Sequence, residues 1–139
     1  MNASKDVRKE GILVKDKVLS AASMIERQKN WDRQLAEYEQ RRTAAEEAGI
    51  PALRRLIEVA RRDTGQSQVC GRFLLSIYNS YAFPFNMNDF RRLDRSLWED
   101  CISVLHLNRH PKKEIHLLIK NGPAIWEGLK AAWATDRPT

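Results

Sequence analysis

Apolar side chains recur along most of this chain at the spacing of an α-helix, and they do so in two different ways. From about Val18 to Gly49 the stripe is narrow. Met24, Trp31, Tyr38 and Ala45 fall every seven residues, and Gln28, Leu35 and Arg42 take the intermediate positions. Those are imperfect heptads, with polar residues where a self-sufficient coiled coil places apolar ones. Ala, Glu, Gln and Arg fill the remaining positions and favour a helix. The spacing predicts one helix over about Leu19–Ala48, ended by Gly49 as a C-terminal cap. Upstream, residues 1–16 carry no clear period; a frayed start or a short helix around Val7–Leu13 is the expectation there, with strand confined at most to short pieces near Ile12–Val14 and Phe83–Met87.

From Pro51 the stripes widen and the helices shorten. Pro51 suits the first turn of a helix carrying Leu53, Leu56, Ile57 and Ala60, closed by Asp63-Thr-Gly. A second helix, Gln66–Tyr81, holds Val69, Cys70, Phe73, Leu74 and Ile77. Its breadth marks it as central, and its internal Gly71 implies close approach of another backbone. Pro84 then forces an extended segment, in which Phe83, Phe85 and Met87 turn inward. Asn88 or Asp89 caps a short helix Phe90–Leu93, and Asp94 caps a longer one, Arg95–Leu107. In that helix Leu97, Trp98, Cys101, Ile102 and Leu105, with Val104, face inward. A helix Pro111–Lys120 packs through Ile115, Leu118 and Ile119. Asn121-Gly122 stops it, and Pro123 opens the last helix, whose stripe is Ile125, Trp126, Leu129 and Trp133.

The fold expected is therefore all-α: a long protruding N-terminal helix in residues 1–49, a compact domain of five to six helices in residues 50–135, and a tail at residues 136–139. Phe73, Leu74, Ile77, Trp98, Ile102 and Leu105 are the expected core.

Charge sharpens this division. Of the formal charge of +6, residues 50–139 supply most, with fourteen basic and nine acidic side chains, against ten and nine in residues 1–49. A basic excess on the compact part fits contact with nucleic acid or an acidic protein and fits plain solubility equally. Arg54, Arg55, Arg61 and Arg62 lie seven apart in pairs, so that guanidinium groups on one helix face could bridge successive phosphates. Arg91, Arg92 and Arg95 crowd a helix start, where the macrodipole disfavours cations. Helix stability does not explain them, and a binding role would. Glu99 and Asp100 are available to pair with them. Lys112 and Lys113 extend the basic set.

The block Gly65-Gln66, Phe73-Leu74-Leu75, Tyr78-Asn79, Phe83-Pro84-Phe85, Leu93-Asp94, Asp100-Cys101 leading to Val104-Leu105, and then Pro111 with Glu114-Ile115-His116, resembles a domain family of unknown function. The family occurs in proteins of proteobacterial integrative conjugative elements, plasmids and prophages. The likeness covers roughly residues 50–130 and implies a bacterial, mobile-element context. It implies no activity.

Catalytic and metal chemistry find little to stand on. There is no Gly-rich phosphate loop, no HExxH and no CxxC. Cys70 and Cys101 lie on apolar stripes and read as buried free thiols. His106 and His110 are four apart, but Asn108 and Pro111 place the helix end near His106 and spoil the geometry for a shared metal. No apolar run reaches the length of a membrane span or a signal peptide, so the expectation is a cytoplasmic protein without cofactor, metal or membrane contact. The functional expectation is a non-catalytic accessory protein of a mobile element. Arg54, Arg55, Arg61, Arg62, Arg91, Arg92, Lys112 and Lys113 would engage nucleic acid or a nucleoprotein complex. The alternative is a protein-interaction adaptor, or an anti-CRISPR-like inhibitor of a host defence system. Trp31, Leu35 and Tyr38 of the N-terminal helix would then meet a protein partner or a second copy of the chain.

Overall fold

In a computed structural model the chain is all-α. The structure describes residues 2–134, with side chains from Ser20 onward, and the expected tail at residues 136–139 lies outside the described residues. The elements are α1 (Asn2–Ala60), α2 (Gly65–Tyr78), a 3₁₀ helix Met87–Arg92, α3 (Arg95–Arg109), a 3₁₀ turn Ile115–Leu117, and α4 (Gly122–Trp133). No strand occurs among the described residues: Ile12–Val14 is helical, residues 83–86 are irregular backbone, and Met87 already belongs to the 3₁₀ helix. The chain forms two compact units, Met1–Gln40 and Arg41–Thr139.

α1 departs from the pattern most. Gly49 does not end it and Pro51 does not begin a new helix; both lie inside one continuous element. An internal proline costs about 3 kcal/mol through its lost N–H and ring clash. The face that follows offsets this. Ala52, Leu53, Leu56, Ile57 and Ala60 are all buried, and each buried Leu or Ile contributes about 1.5–3 kcal/mol. Gly49 continues that face. A Cβ on it would stand 2.7 Å from Leu107 Cβ and 3.1 Å from the Ser103 carbonyl oxygen, so its missing side chain is what lets α1 meet α3.

α2 is the central helix, as its broad stripe predicts, with Val69, Cys70, Phe73, Leu74 and Leu75 buried. Thr64 caps it, its hydroxyl oxygen accepting from the Ser67 N–H at 3.0 Å. α4 crosses it: the buried Trp126 indole donates to the Leu74 carbonyl at 3.2 Å. At Gly71 the close neighbour is a ring and not the expected backbone. Trp133 lies where a Cβ would be, with Nε1 2.6 Å from that position. Phe73 then gathers Phe85 and Phe90 in edge-on contacts at 5.8 and 5.6 Å. Phe83 and Phe85 do turn inward, whereas Met87 is 70% exposed and opens the 3₁₀ helix. That helix is capped by Asn86, not Asn88 or Asp89.

α3 is capped by Asp94 as expected, its carboxylate accepting from the Leu97 N–H at 2.9 Å. Its buried face is Leu97, Asp100, Cys101, Val104 and Leu107. Trp98 and Leu105, placed in the core by the pattern, are 39% and 40% exposed, and Ile102 is only half-buried. Beyond it, the expected helix Pro111–Lys120 shrinks to a single 3₁₀ turn. Asn121 turns the chain in the left-handed region at φ 62°, and Gly122 comes to rest directly against the His116 carbonyl, where any side chain would collide. Ile115 is buried nonetheless, and Leu118 and Ile119 pack beside the core.

Candidate functional site

The geometry of the basic residues follows from how α1 meets α3. Gly49 touches Leu107 and Ser103, and Arg55, less than two turns on, reaches back to Asp100, so the helices run antiparallel. Arg55 Nη2 donates to Asp100 Oδ1 at 2.8 Å and Nε donates to Oδ2 at 3.0 Å, a two-pronged fit. Hydrogen bonding to the Asp100 carboxylate raises the Arg55 pKa further. The Asp100 side chain is 12% exposed and that of Arg55 58%. Arg55 is therefore the residue that lets a carboxylate sit on the buried face of α3. The expected pairing of Asp100 with Arg91, Arg92 or Arg95 does not form.

The other basic residues fall into two groups at opposite ends of α3, a helix about 22 Å long for its 15 residues. At its N-terminal end the Arg92 Nη2 donates to the Gly65 carbonyl at 3.4 Å and to Gln68 Oε1 at 3.3 Å, while the Asp94 N–H donates to Gln66 Oε1 at 2.7 Å. These bonds tie Arg91, Arg92 and Arg95 to the start of α2, immediately after Arg61 and Arg62. Lys112 and Lys113 follow the other end in the chain, and Lys112 lies 3.9 Å from Glu46 of α1. Of the eight residues singled out in the sequence, these contacts hold Arg55 against α3, Arg92 against α2 and Lys112 against α1.

Several are matched by acids. Arg62 pairs with Glu58 at 3.2 Å, Arg92 with Asp89 at 3.8 Å, Arg95 with Glu99 at 3.1 Å and Lys112 with Glu46 at 3.9 Å. Such exposed pairs contribute little stability, but each dilutes the local positive field. Arg54, Arg61, Arg91 and Lys113 are exposed and make no ion pair among the described residues. Two cations escaped the sequence reading. Arg109 and Lys120 are exposed as well, and with Lys112 and Lys113 they give residues 109–120 four cations against one carboxylate, Glu114. The signal was the local charge count, which attention to helix-face spacing passes over.

On the N-terminal part of α1, Trp31 is 61% and Leu35 46% exposed, and Tyr38 is half-buried. Met24 and Ile25 join them, at 64% and 59%.

The remaining titratable groups are held in the interior or dispersed. Burial, reinforced by the Asp94 and Asp100 carboxylates, pushes the Cys70 thiol up to about 12, and burial also raises that of Cys101. Both are free and protonated at neutral pH, the wrong state for a nucleophile. α3 runs past His106 to Arg109, so the helix does not end near His106 as the sequence suggested, and His110 is its C-terminal cap. His116 packs edge-on against Tyr78 at 4.9 Å. No group of three or more His, Cys, Asp or Glu side chains among the described residues could hold a metal. A groove of about 200 Å³ lies between the end of α1 and α4, lined by Arg61, Arg62, Ala124, Gly128 and Ala132 among others. Guanidinium groups and small apolar side chains supply no acid–base pair. Among the described residues no helix is long and apolar enough to cross a membrane.

A search of curated proteins and a search of solved structures each return no match. The model of one family, described as a family of unknown function (DUF7673), matches residues 50–134. That span takes in the buried C-terminal turns of α1, the central α2, the Asp94-capped α3 and all of α4, and on it the chain belongs to the DUF7673 family.

Proposed function

We propose that this is a non-catalytic, cytoplasmic accessory protein of a bacterial mobile genetic element. It contacts the phosphate backbone of nucleic acid, bare or within a nucleoprotein complex. The observation that carries this reading is the set of exposed cations without an acidic partner among the described residues: Arg54, Arg61, Arg91, Arg109, Lys113 and Lys120. Such groups exchange condensed counterions on nucleic acid for direct phosphate contact, and that release drives binding without base recognition. The mobile-element setting rests on the likeness of residues 50–130 to proteins of such elements. The protonated, buried thiols support the absence of catalysis.

The test is fluorescence anisotropy with a random duplex at low salt. The charge reversals Arg54→Glu, Arg61→Glu and Arg91→Glu together should weaken binding at least tenfold, with Arg55 left intact so that the fold is not disturbed. Unchanged affinity would remove these residues from the interface, and no measurable affinity of the parent chain would end the reading.

The exposed Met24, Ile25, Trp31 and Leu35 favour a second reading, a protein contact through α1, as an adaptor or an inhibitor of a host defence system. In that case Trp31→Glu with Leu35→Glu abolishes function while duplex binding survives.

A further inference from the structure

The apolar stripe of α1 carries its own specification of what covers it. With Met24, Trp31 and Tyr38 at the d positions of a heptad, Gln28 and Leu35 fall at a, Arg27 and Gln34 at g, and Asp32 and Glu39 at e. Every residue from Ser20 to Glu37 is exposed, and Met24, Trp31 and Leu35 are 64%, 61% and 46% exposed, so nothing among the described residues covers this face. Ile25, 59% exposed, widens it at an e position.

The flanking charges are sorted by position: a cation and an amide at g, two acids at e. In a parallel, in-register pair of helices, a g residue faces the e residue five further along the other strand. Arg27 then meets Asp32 of a second copy, and Gln34 meets Glu39, on both sides of the seam. In an antiparallel pair g faces g and e faces e, so Arg27 meets only Ser20, Arg27 or Gln34 of the other strand and no carboxylate. Among the described residues of one chain Asp32 accepts from Gln28, at 3.0 Å. Gln28 is the single polar residue at a seam position between Ser20 and Tyr38, and a lone polar a residue costs stability while fixing register and strand number.

We infer that residues 20–38 of α1 dock on the same residues of a second copy of this chain, as a parallel, in-register two-stranded coiled coil. This specifies the occupant of the stripe behind the protein-contact reading, and it does not depend on the basic groups of α3.

The full chain tests it. Light scattering behind size exclusion should give a mass twice 16.1 kDa, falling toward the monomer on dilution. Gln28→Cys and Leu35→Cys, made separately, should each form an intermolecular disulfide with itself under mild oxidation, because both residues face their own copies only when the helices are parallel and in register. Arg27→Asp alone should shift dissociation to at least tenfold higher concentration. Adding Asp32→Arg to it should restore the dimer, a rescue that a merely structural loss would not show. A chain monomeric at every concentration overturns the dimer and leaves contact with a different protein as a separate question for capture experiments. Cross-linking at only one of the two cysteines, or a trimeric mass, overturns the parallel pair.

Discussion

The indole N–H of Trp133 donates to the carbonyl oxygen of Ala60 at 2.8 Å. It satisfies a carbonyl of the last turn of α1, one of four that a helix end leaves without an internal partner. The same ring covers Gly71, so one side chain joins α1, α2 and α4. Replacing Gly71 by Ala should force the ring away and cost about 1–3 kcal/mol by overpacking. Trp133→Phe should preserve the ring contact and lose only the hydrogen bond, at about 1–3 kcal/mol if the Ala60 oxygen stays buried. Urea unfolding of both variants checks this. If Gly71→Ala is neutral, the ring does not sit where described.

The Arg55–Asp100 pair should respond unequally to loss of its two members. Arg55→Ala leaves a carboxylate whose side chain is only 12% exposed without its partner, whereas Asp100→Ala leaves a guanidinium already 58% exposed. Leaving a buried charged acceptor unsatisfied costs about 1–3 kcal/mol or more, so Arg55→Ala should be the more destabilising change. Denaturant melts of the two single variants and the double variant decide it, and the reverse order would show that Asp100 is better hydrated than its burial indicates.

Asp94 ties stability to acid. Hydrogen bonds from the Leu97 N–H and Ser96, with a smaller contribution from Gln66, hold its carboxyl below the ordinary value of 3.8. The folded state thus binds this proton less tightly than the unfolded state. The contribution is present above about pH 4 and is lost as pH falls through the lower folded value. Asn caps a helix about as well as Asp but does not titrate in this range. Asp94→Asn should therefore match the parent near neutrality and lose less stability between pH 4 and pH 2. Equal acid sensitivity in thermal melts would assign the effect to other carboxylates.

Much of the fold was legible because helical period is a property of neighbouring residues. The central helix, the Asp94 cap and the α4 stripe needed no knowledge of distant partners. α3 shows why the rest was not. Its apolar residues form two overlapping stripes, 97-101-104 and 98-102-105, and the sequence offers little to choose between them. The buried one contains Asp100, a charge that argues against burial unless Arg55, 45 positions away, is known to reach it. Likewise Gly49 and Pro51 read as a helix break, because the contact with Leu107 that sustains the helix is long-range. The basic set was legible as charge but not as pairing: spacing along α1 does not reveal that Asp100 and Glu58 engage Arg55 and Arg62.

The most direct measurement is the dependence of duplex affinity on salt. If about four of the unpaired cations touch phosphates, log Kobs should fall with log salt at a slope of about −3 to −4, independent of duplex sequence. A slope near zero, or binding that survives salt unchanged, would contradict phosphate-backbone contact as the protein's role.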